Sequence, residues 1–363
     1  MRLRTLSLAL CLGLTLAGAA AAADRLGAYP VDPAQVSVSG ISSGAFMANQ
    51  LHVAHSADIM GAGIVAGGLY GCAVLSDNES GVTPTASLAT GACMSAPALL
   101  QPAATYAERM QRFAAQGWID PVENLAKSRL YAFTGKSDQV VNPATVERAV
   151  QVYGLLGLPT ARISFSDRAV DAGHAWVTQS FGVPCADNRS PFINDCGYDQ
   201  AQWVLETIYG PLQPKATQLS GRFVAFDQTE FAPGGDAAGN GIWDTGYLYV
   251  PAACQAAGAN CRLHVVLHGC LQSAQALGDE FYKRVGINEW ADSNRIMVLY
   301  PQARTVSVTD FRTPQPTDLF NINPNGCWNW WGYAYDKRYL FKDGVQVSAI
   351  WQMVQRVTGQ SNR

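Results

Sequence analysis

The chain has 363 residues, of which 48% are hydrophobic and 15% are charged, and its formal net charge is −3. It is long enough to bury a sizeable core. No basic cluster stands out along it, which argues against nucleic acid and anionic membranes as partners.

The N-terminus has the pattern of a secretory signal peptide, with two arginines, an apolar run and an Ala-rich tail in MRLRTLSLALCLGLTLAGAAAAAD. We predict a signal peptide over residues 1–23 and a single domain over residues 24–363. An uncleaved membrane anchor is the less favoured alternative, because the run is short and lacks a flanking charge cluster. Loss of Arg2 and Arg4 leaves 23 basic and 28 acidic residues, a formal charge of −5. The predicted destination is secreted, either extracellular or periplasmic.

Residues 36–55, VSVSGISSGAFMANQLHVAH, are the most informative stretch of the mature chain. Strand-like alternation leads into Gly40-Ile41-Ser42-Ser43-Gly44, and helical spacing follows. G-x-S-x-G between a strand and a helix is typical of the nucleophile elbow of serine hydrolases, with Ser42 at the apex of a sharp turn. The short pattern alone is common by chance, so the remaining chain must supply a base, an acid and an oxyanion site.

Further elements alternate between strand and helix patterns along the chain. Strands are predicted at residues 59–71 (with the turn that follows), 129–133, 162–165, 247–251, 262–267 and 296–300. Helices are predicted at residues 106–116, 144–156, 198–209, 279–294 and 342–358, and residues 74–104 look irregular. This alternation predicts an α/β fold with a mostly parallel central sheet flanked by helices.

His174 is the predicted general base, because it lies in a Gly-containing loop after a strand, where a hydrolase places a mobile base. His52 and His55 lie on the elbow helix and point away from its apex, which favours packing or surface roles. His264 and His268 lie four residues apart on one strand, and two ligands alone do not make a convincing zinc site.

Asp138 is the predicted orienting acid, because it ends a turn directly after the strand at 129–133. Asp167 and Asp171 are competitors, but both are so close to His174 in sequence that the loop would have to double back. The order Ser42, Asp138, His174 is the one expected of α/β hydrolases. A turn cap is the alternative role for Asp138.

One feature is out of the usual order. In most α/β hydrolases a strand ending in His-Gly precedes the nucleophile and supplies an amide to the oxyanion hole. Here the matching strand runs into His268-Gly269-Cys270, far beyond Ser42. We predict a circularly permuted α/β-hydrolase fold in which this segment returns beside the elbow.

Eight cysteines follow the signal peptide, and an even number in an exported protein predicts disulfides. The simplest pairs are sequence neighbours, with the last two cysteines left for each other: Cys72 with Cys93, Cys185 with Cys196, Cys254 with Cys261, and Cys270 with Cys327. Other connectivities and buried free thiols are the open alternatives.

Six segments in matching order resemble extracellular poly(3-hydroxybutyrate) depolymerases whose serine box lies near the N-terminus: GISSGAFMANQL, TGKSDQVVNP, AGHAW, PFINDCGYDQA, LHGCLQ and NPNGCWNWWGY. The resemblance implies Ser42 as nucleophile, His174 as base and Asp138 as its orienter. It also implies an oxyanion hole from the amides of Ser43 and Cys270, with His268 in the motif that shapes it.

The segment CWNWWGY, residues 327–333, is the predicted substrate-binding wall, because ring faces offer large apolar area to a methyl-bearing polyester. Trp328, Trp330 and Trp331 are the candidates, and we expect at least one of the three to be core. Trp176, two residues from His174, is a weaker candidate.

The implied activity is secreted serine ester hydrolysis of poly(3-hydroxybutyrate) or its oligomers through an acyl-enzyme, with no cofactor and no metal. Because the chain ends soon after its last helix, without a linker or polymer-adsorbing domain, we expect amorphous polymer or soluble oligomers as substrate. The alternatives are a hydrolase of another polyester or polymer on the same scaffold and a non-catalytic polymer-binding protein. The oligomeric state is left open.

Overall fold

The computed structural model describes residues 23–311 and 321–360, so residues 1–22 of the predicted signal peptide lie outside the described residues. Its strands, in chain order, are β1 (Val31–Ile41), β2 (Ile59–Val65), β3 (Val74–Asn78), β4 (Gly81–Pro84), β5 (Arg129–Thr134), β6 (Ile163–Asp167), β7 (Trp176–Thr178), β8 (Val183–Pro184), β9 (Ile193–Asp195), β10 (Arg222–Asp227), β11 (Thr245–Val250), β12 (Cys261–Leu267) and β13 (Ile296–Tyr300). Its α-helices are α1 (Ser43–Ala54), α2 (Ala86–Thr90), α3 (Ala103–Ala115), α4 (Pro143–Leu155), α5 (Gln200–Tyr209), α6 (Ala274–Leu277), α7 (Glu280–Arg284), α8 (Ile287–Ser293) and α9 (Val345–Thr358).

The central sheet has eight strands in the order β10-β11-β13-β12-β1-β2-β5-β6. The six strands from β13 to β6 pair in parallel, whereas β10 and β11 are antiparallel additions at one edge. Near-continuous apolar runs in β2, β12 and β13 suit strands that are covered on both faces. The predicted α/β class with a mostly parallel sheet is confirmed.

The N-terminal strand lies in the middle of this sheet. Strand β1 pairs in parallel with β12 on one side and with β2 on the other, so that Gly40 lies opposite Leu267. The strand that carries the serine and the strand that leads into His268-Gly269-Cys270 are therefore immediate neighbours. The predicted permuted order of an α/β-hydrolase fold is confirmed.

Two apolar layers cover the two faces of the sheet. Alternate residues of β12 and β13 belong to different buried clusters, as the period of two in a strand requires. Helices α1, α3, α4 and α9 contribute to one cluster, and α5, α7 and α8 to the other. Helix α1 is buried along its whole length, which holds the start of the helix firmly against the sheet.

Several element boundaries differ from the predictions, and three of these differences have a clear local cause or content. The stretch 74–104 contains the hairpin of β3 and β4 as well as short helices. The helix predicted at 279–294 is divided into α7 and α8 because Gly286, between them, has φ +82°. The last helix begins only at Val345, after Gly344.

All four predicted disulfides are formed: Cys72–Cys93, Cys185–Cys196, Cys254–Cys261 and Cys270–Cys327. Their Cα separations lie between 4.2 and 5.9 Å. Within residues 23–311 and 321–360, no helix is long and apolar enough to cross a membrane.

Candidate active site

Ser42 occupies the sharp turn between β1 and α1. Its φ of +56° and ψ of −122° are rare for a residue with a side chain and are typical of strained functional turns. Its amide donates to the carbonyl of Val65 at 2.9 Å, which anchors the turn to the neighbouring strand. The turn presents the side chain to a cleft beyond the carboxyl ends of the central strands β1 and β12.

The two flanking glycines are required because the backbone of β12 passes very close to them. A Cβ on Gly40 would lie 2.8 Å from the carbonyl oxygen of Leu267. A Cβ on Gly44 would collide with the carbonyl oxygens of Leu267 and His268. The G-x-S-x-G spacing therefore lets the strand and the start of the helix approach the segment that leads to Cys270.

Asp138 and His174 form a buried pair. The Nδ1 atom of His174 lies 3.0 Å from Oδ2 and 3.2 Å from Oδ1 of Asp138. Oδ1 also accepts the amides of Val140 and Val141, each at 2.9 Å, so the carboxylate is held in place. Because a carboxylate only accepts hydrogen bonds, Nδ1 donates, and Nε2 keeps the lone pair that a general base needs.

The competing carboxylates have other partners. Asp171 accepts a hydrogen bond from the Ser137 hydroxyl at 2.6 Å. Asp167 pairs with Arg168 at 2.8 Å. Asp138 is therefore the carboxylate that contacts His174.

Ser42 and His174 lie on different loops, and no hydrogen bond joins their side chains in the described structure. The ring of His174 packs edge-on against Phe192, with centroids 6.0 Å apart. Gln272 donates a hydrogen bond to the Phe192 carbonyl and accepts one from the amide of Gly269. Gly269 is in turn close to the serine, since a Cβ on Gly269 would lie 3.3 Å from the Ser42 Cβ. Catalytic hydrogen bonds are often long without substrate and tighten when it binds.

Two backbone amides near Ser42 are free to stabilise an oxyanion. Ser43 is the first residue of α1, so its amide has no intrahelical acceptor. The amide of Cys270 has no acceptor among the described residues, and Cys270 lines the same cleft as Ser42. Paired backbone donors beside a nucleophile are the usual construction of an oxyanion hole.

His268 shapes this segment and carries no charge. Its Nδ1 donates to the Gly269 carbonyl at 2.7 Å, and its Nε2 accepts the amide of Ala303 at 3.0 Å. Burial lowers the pKa of His268 to about 4, so the ring is neutral at neutral pH. Its side chain therefore positions the backbone and does not face the cleft.

The cleft has a volume of about 270 Å³ and one aromatic wall. Trp330 stacks on Phe46 with centroids 4.1 Å apart, and Trp331 meets Trp330 edge-on at 5.5 Å. The Cys270–Cys327 disulfide joins this wall to the segment that carries the Cys270 amide. The wall and the serine therefore share one largely apolar cavity.

Comparison of the sequence with those of known proteins shows the family to which this chain belongs. A polyhydroxybutyrate depolymerase of Talaromyces funiculosus is 36% identical over 366 residues, which cover 95% of each chain. The chain belongs to the polyhydroxybutyrate depolymerase family. A poly(3-hydroxybutyrate) depolymerase of Delftia acidovorans is 40% identical over 345 residues, 94% of this chain, and the chain spans 63% of that relative's length. No family model matches the chain.

Two solved depolymerase structures are similar to this one. A PHB depolymerase with a serine-to-alanine substitution, complexed with an R3HB trimer, has a TM-score of 0.78 and 34% identity, covering 93% of this chain and all of that one. The crystal structure of PHB depolymerase from Penicillium funiculosum gives a TM-score of 0.74 at the same identity and coverage. The resemblance predicted from the sequence is confirmed.

Two of the tryptophans predicted to bind substrate do not reach the cleft of this depolymerase-family chain. Trp176 is fully buried, and its indole N–H donates to the Val285 carbonyl at 2.9 Å. Trp328 is 1% exposed and packs against His268. Both were wrong as substrate contacts, because each side chain points into the protein, whereas Trp330 and Trp331 line the cleft.

Asn188 is a site residue that sequence reasoning missed. Its Oδ1 accepts the amides of His174 (2.8 Å) and Gln139 (3.0 Å), and its Nδ2 donates to the Ser137 carbonyl at 2.9 Å. One side chain thus joins the loop of Asp138 to the loop of His174. No periodicity or motif in the sequence signals such a cross-link.

The other three histidines lie away from this chemistry. His264 bonds Ser37 and Ser39 on β1, and His52 bonds Tyr153. His55 stacks on Trp351, so the elbow-helix histidines pack in the interior and neither is a surface residue. Within the described residues, no three His, Cys, Asp or Glu side chains cluster as a metal site would require.

Proposed function

We propose that this chain is a serine esterase that hydrolyses the ester bonds of poly(3-hydroxybutyrate) or its oligomers through an acyl-enzyme. The observation that carries the proposal is the shared cleft. Ser42, Cys270 and the aromatic wall of Trp330 and Trp331 border one cavity, and Val141, which also lines it, bonds the Asp138 carboxylate of the His174–Asp138 pair. The R3HB trimer in the similar solved depolymerase supports the same substrate class.

In the proposed mechanism, Ser42 Oγ attacks the ester carbonyl while His174 Nε2 takes its proton. The tetrahedral oxyanion is bound by the amides of Ser43 and Cys270, a kind of donor that typically contributes about 3 to 4 kcal/mol each. His174 then returns the proton to the leaving hydroxyl, and Asp138 stabilises the imidazolium in between. Water repeats the sequence on the acyl-enzyme and releases a hydroxyacid or a short oligomer.

The cleft suits an uncharged, methyl-bearing chain. Phe46, Met94, Val141 and the two tryptophans supply apolar surface, and the lining contains no charged side chain among the described residues. A polyester has no charge to neutralise, so its binding depends on apolar contact and on hydrogen bonds to the reacting carbonyl.

We also propose that residues 24–363 form one exported catalytic domain, extracellular or periplasmic. Four disulfides are characteristic of proteins that fold in an oxidising compartment. The disulfide between Cys270 and Cys327 bears directly on the cleft, so an oxidising compartment also favours an intact site.

Ser42→Ala tests the proposed function. We expect release of 3-hydroxybutyrate products from the trimer and from amorphous polymer to fall on the order of 10⁶-fold, because the nucleophile is lost. Ser293→Ala, on α8 outside the cleft, serves as the matched control and should retain full activity. Turnover by Ser42→Ala would refute the assignment.

A fluorophosphonate probe separates the rival functions. We expect stoichiometric labelling of the wild type at Ser42 and none of Ser42→Ala. A protein that binds the trimer but resists labelling and hydrolysis would be a non-catalytic binder. A protein that is labelled but cleaves only other polyesters in a substrate panel would be a different esterase on this scaffold.

A further inference from the structure

Gln272 connects two parts of the site that are far apart in sequence. It is 1% exposed, and its Oε1 accepts the amide of Gly269 at 2.7 Å. Its Nε2 donates to the carbonyls of Pro191 and Phe192, both at 2.9 Å. One buried amide group thus joins the segment of the oxyanion hole to the loop that packs on the base.

On the oxyanion side, the Gln272 side chain holds the Gly269 amide, and two bonds from other groups hold the carbonyl of the same residue, in the peptide plane that carries the Cys270 amide. The Gly269 carbonyl accepts from His268 Nδ1 at 2.7 Å and from the backbone amide of Gln272 at 3.3 Å. In a trans peptide the C=O of one residue and the N–H of the next point in opposite directions. Because the Gly269 carbonyl is held on the side of His268 and Gln272, the Cys270 N–H points to the opposite side. The Gly269 N–H is not available as an oxyanion donor, since it bonds Gln272 Oε1.

On the base side, Gln272 holds Phe192, whose ring lies edge-on against His174. The Phe192 carbonyl also accepts the amide of Trp176, two residues after His174, at 3.0 Å. Movement of this carbonyl would therefore shift both the ring that packs on the base and the chain that follows it.

We infer that Gln272 is a positioning residue that sets the distance between the oxyanion donor and the general base. This inference rests on the proposed function. Gln272 does not border the cleft, so it acts through the Cys270 amide and through His174. Since positioned donors and bases act on the transition state, the loss of Gln272 should lower kcat and leave KM nearly unchanged.

Gln228 offers a matched control. It is also fully buried, its Nε2 donates to the carbonyls of Trp243 (2.6 Å) and Gln302 (2.7 Å), and its Oε1 accepts the amide of Gln302 at 3.1 Å. It has the same number and type of side-chain hydrogen bonds as Gln272, but none of them reaches the base loop or the Gly269 peptide, and its nearest link to the oxyanion segment is indirect, through the Ala303 amide that bonds His268. A purely structural contribution should therefore look the same at both positions.

The experiment compares Gln272→Met with Gln228→Met on the (R)-3-hydroxybutyrate trimer and on p-nitrophenyl butyrate. We expect similar falls in Tm, but a kcat loss of about 10²-fold for Gln272→Met, with KM within about threefold, and a kcat within about twofold of wild type for Gln228→Met. Gln272→Ala, which leaves room for water to bridge the freed groups, is the second variant if the methionine variant folds poorly.

An alkyl boronic acid, which forms a tetrahedral anion on the serine, gives a second readout. In Gln272→Met, the inhibition constant of this compound should rise by about the same factor as kcat falls. The dissociation constant of the trimer should be the same for Ser42→Ala and for the double variant that also carries Gln272→Met. Equal kcat losses at positions 272 and 228, or a loss confined to KM, would overturn the inference. If wild type itself lacks esterase activity and labelling, the proposed function has failed instead.

Discussion

Tryptophan serves two different purposes in this molecule. Trp176 is fully enclosed and bonded through its indole N–H, so it stabilises the core under the base loop. Trp331 is only partly buried, and with Trp330 it forms the apolar wall of the cleft. Both lie near functional motifs in the sequence, and only the fold separates the core residue from the cleft residue.

Substitution by alanine should separate these purposes. Trp331→Ala should raise KM for the trimer by about 5- to 30-fold, since an aromatic contact of about 1–2 kcal/mol is lost, with little change in urea stability. Trp176→Ala should lower the free energy of unfolding by about 3–5 kcal/mol, because it leaves a large cavity. An unchanged KM for Trp331→Ala would show that this wall does not bind the substrate.

Motif order identified the pair Asp138–His174 and the turn at Ser42, because each of these residues sits in a local pattern of strand, turn and helix. The positioning side chains could not be found in this way. Asn188 and Gln272 bond backbone atoms 51 and 81 positions away, and contacts of that range leave no periodicity in the sequence. The catalytic roles stay predictions until they are tested.

At the scale of elements, the site depends on how closely α1 and β12 approach each other. Gly40 and Gly44 permit that approach because backbone oxygens of Leu267 and His268 occupy the space a side chain would need. A backbone oxygen cannot move aside as a flexible side chain can. Any added carbon must push apart the two segments that carry Ser42 and the Cys270 amide.

Gly44→Ala should therefore lower both activity and stability. We expect the esterase rate to fall by at least about 10²-fold, because a shift near 1 Å disrupts catalytic geometry, and thermal unfolding to occur earlier. Gly154→Ala, in helix α4, is the control, because a Cβ there meets nothing within 4 Å. That variant should be as active as wild type and more stable by roughly 0.5–1 kcal/mol. Equal activity of the two variants would contradict this account.

Elements with strong apolar runs were predicted closely, and those without them were not. Strand β13 was predicted at its observed bounds, and α4 was one residue off, because burial dictates their patterns. The hairpin of β3 and β4 was missed, since it is polar and half-exposed and has no clear alternation. Its place is set by contacts with distant segments, such as the amide of Val82 bonding the Lys337 carbonyl.

For the whole molecule, the four histidines other than His174 should lower the free energy of unfolding at low pH. Burial lowers the pKa of His52, His55 and His264 to about 3 and that of His268 to about 4. In the unfolded chain these rings take up protons near pH 6.5. Their folded-state pKa values are depressed, so the associated stability is fully present above pH 6.5 and is lost as the pH falls toward 3 to 4.

We expect the free energy of unfolding to fall steeply below pH 6.5. Each histidine contributes a slope of about 1.4 kcal/mol per pH unit, so four approach about 5 kcal/mol per unit between pH 5.5 and 4.5. Urea unfolding from pH 7.5 to 4.5 measures this slope. His55→Phe keeps a ring against Trp351. This substitution should reduce the slope by about 1.4 kcal/mol per pH unit, the contribution of one proton. A flat profile over this range would show that these rings are not buried and neutral.

The place of β1 between β2 and β12 also determines when the candidate active site can assemble during synthesis of the chain. The hydrogen bond from Ser37 to His264 spans 227 positions, so the partner strand is synthesised long after the serine. A nascent or truncated chain has the Ser42 hydroxyl and the Ser43 amide but lacks the Cys270 amide, the second proposed donor to the oxyanion. We therefore expect esterase activity to arise late, when the final third of the polypeptide docks against the strand made first, and we expect incomplete chains to show none.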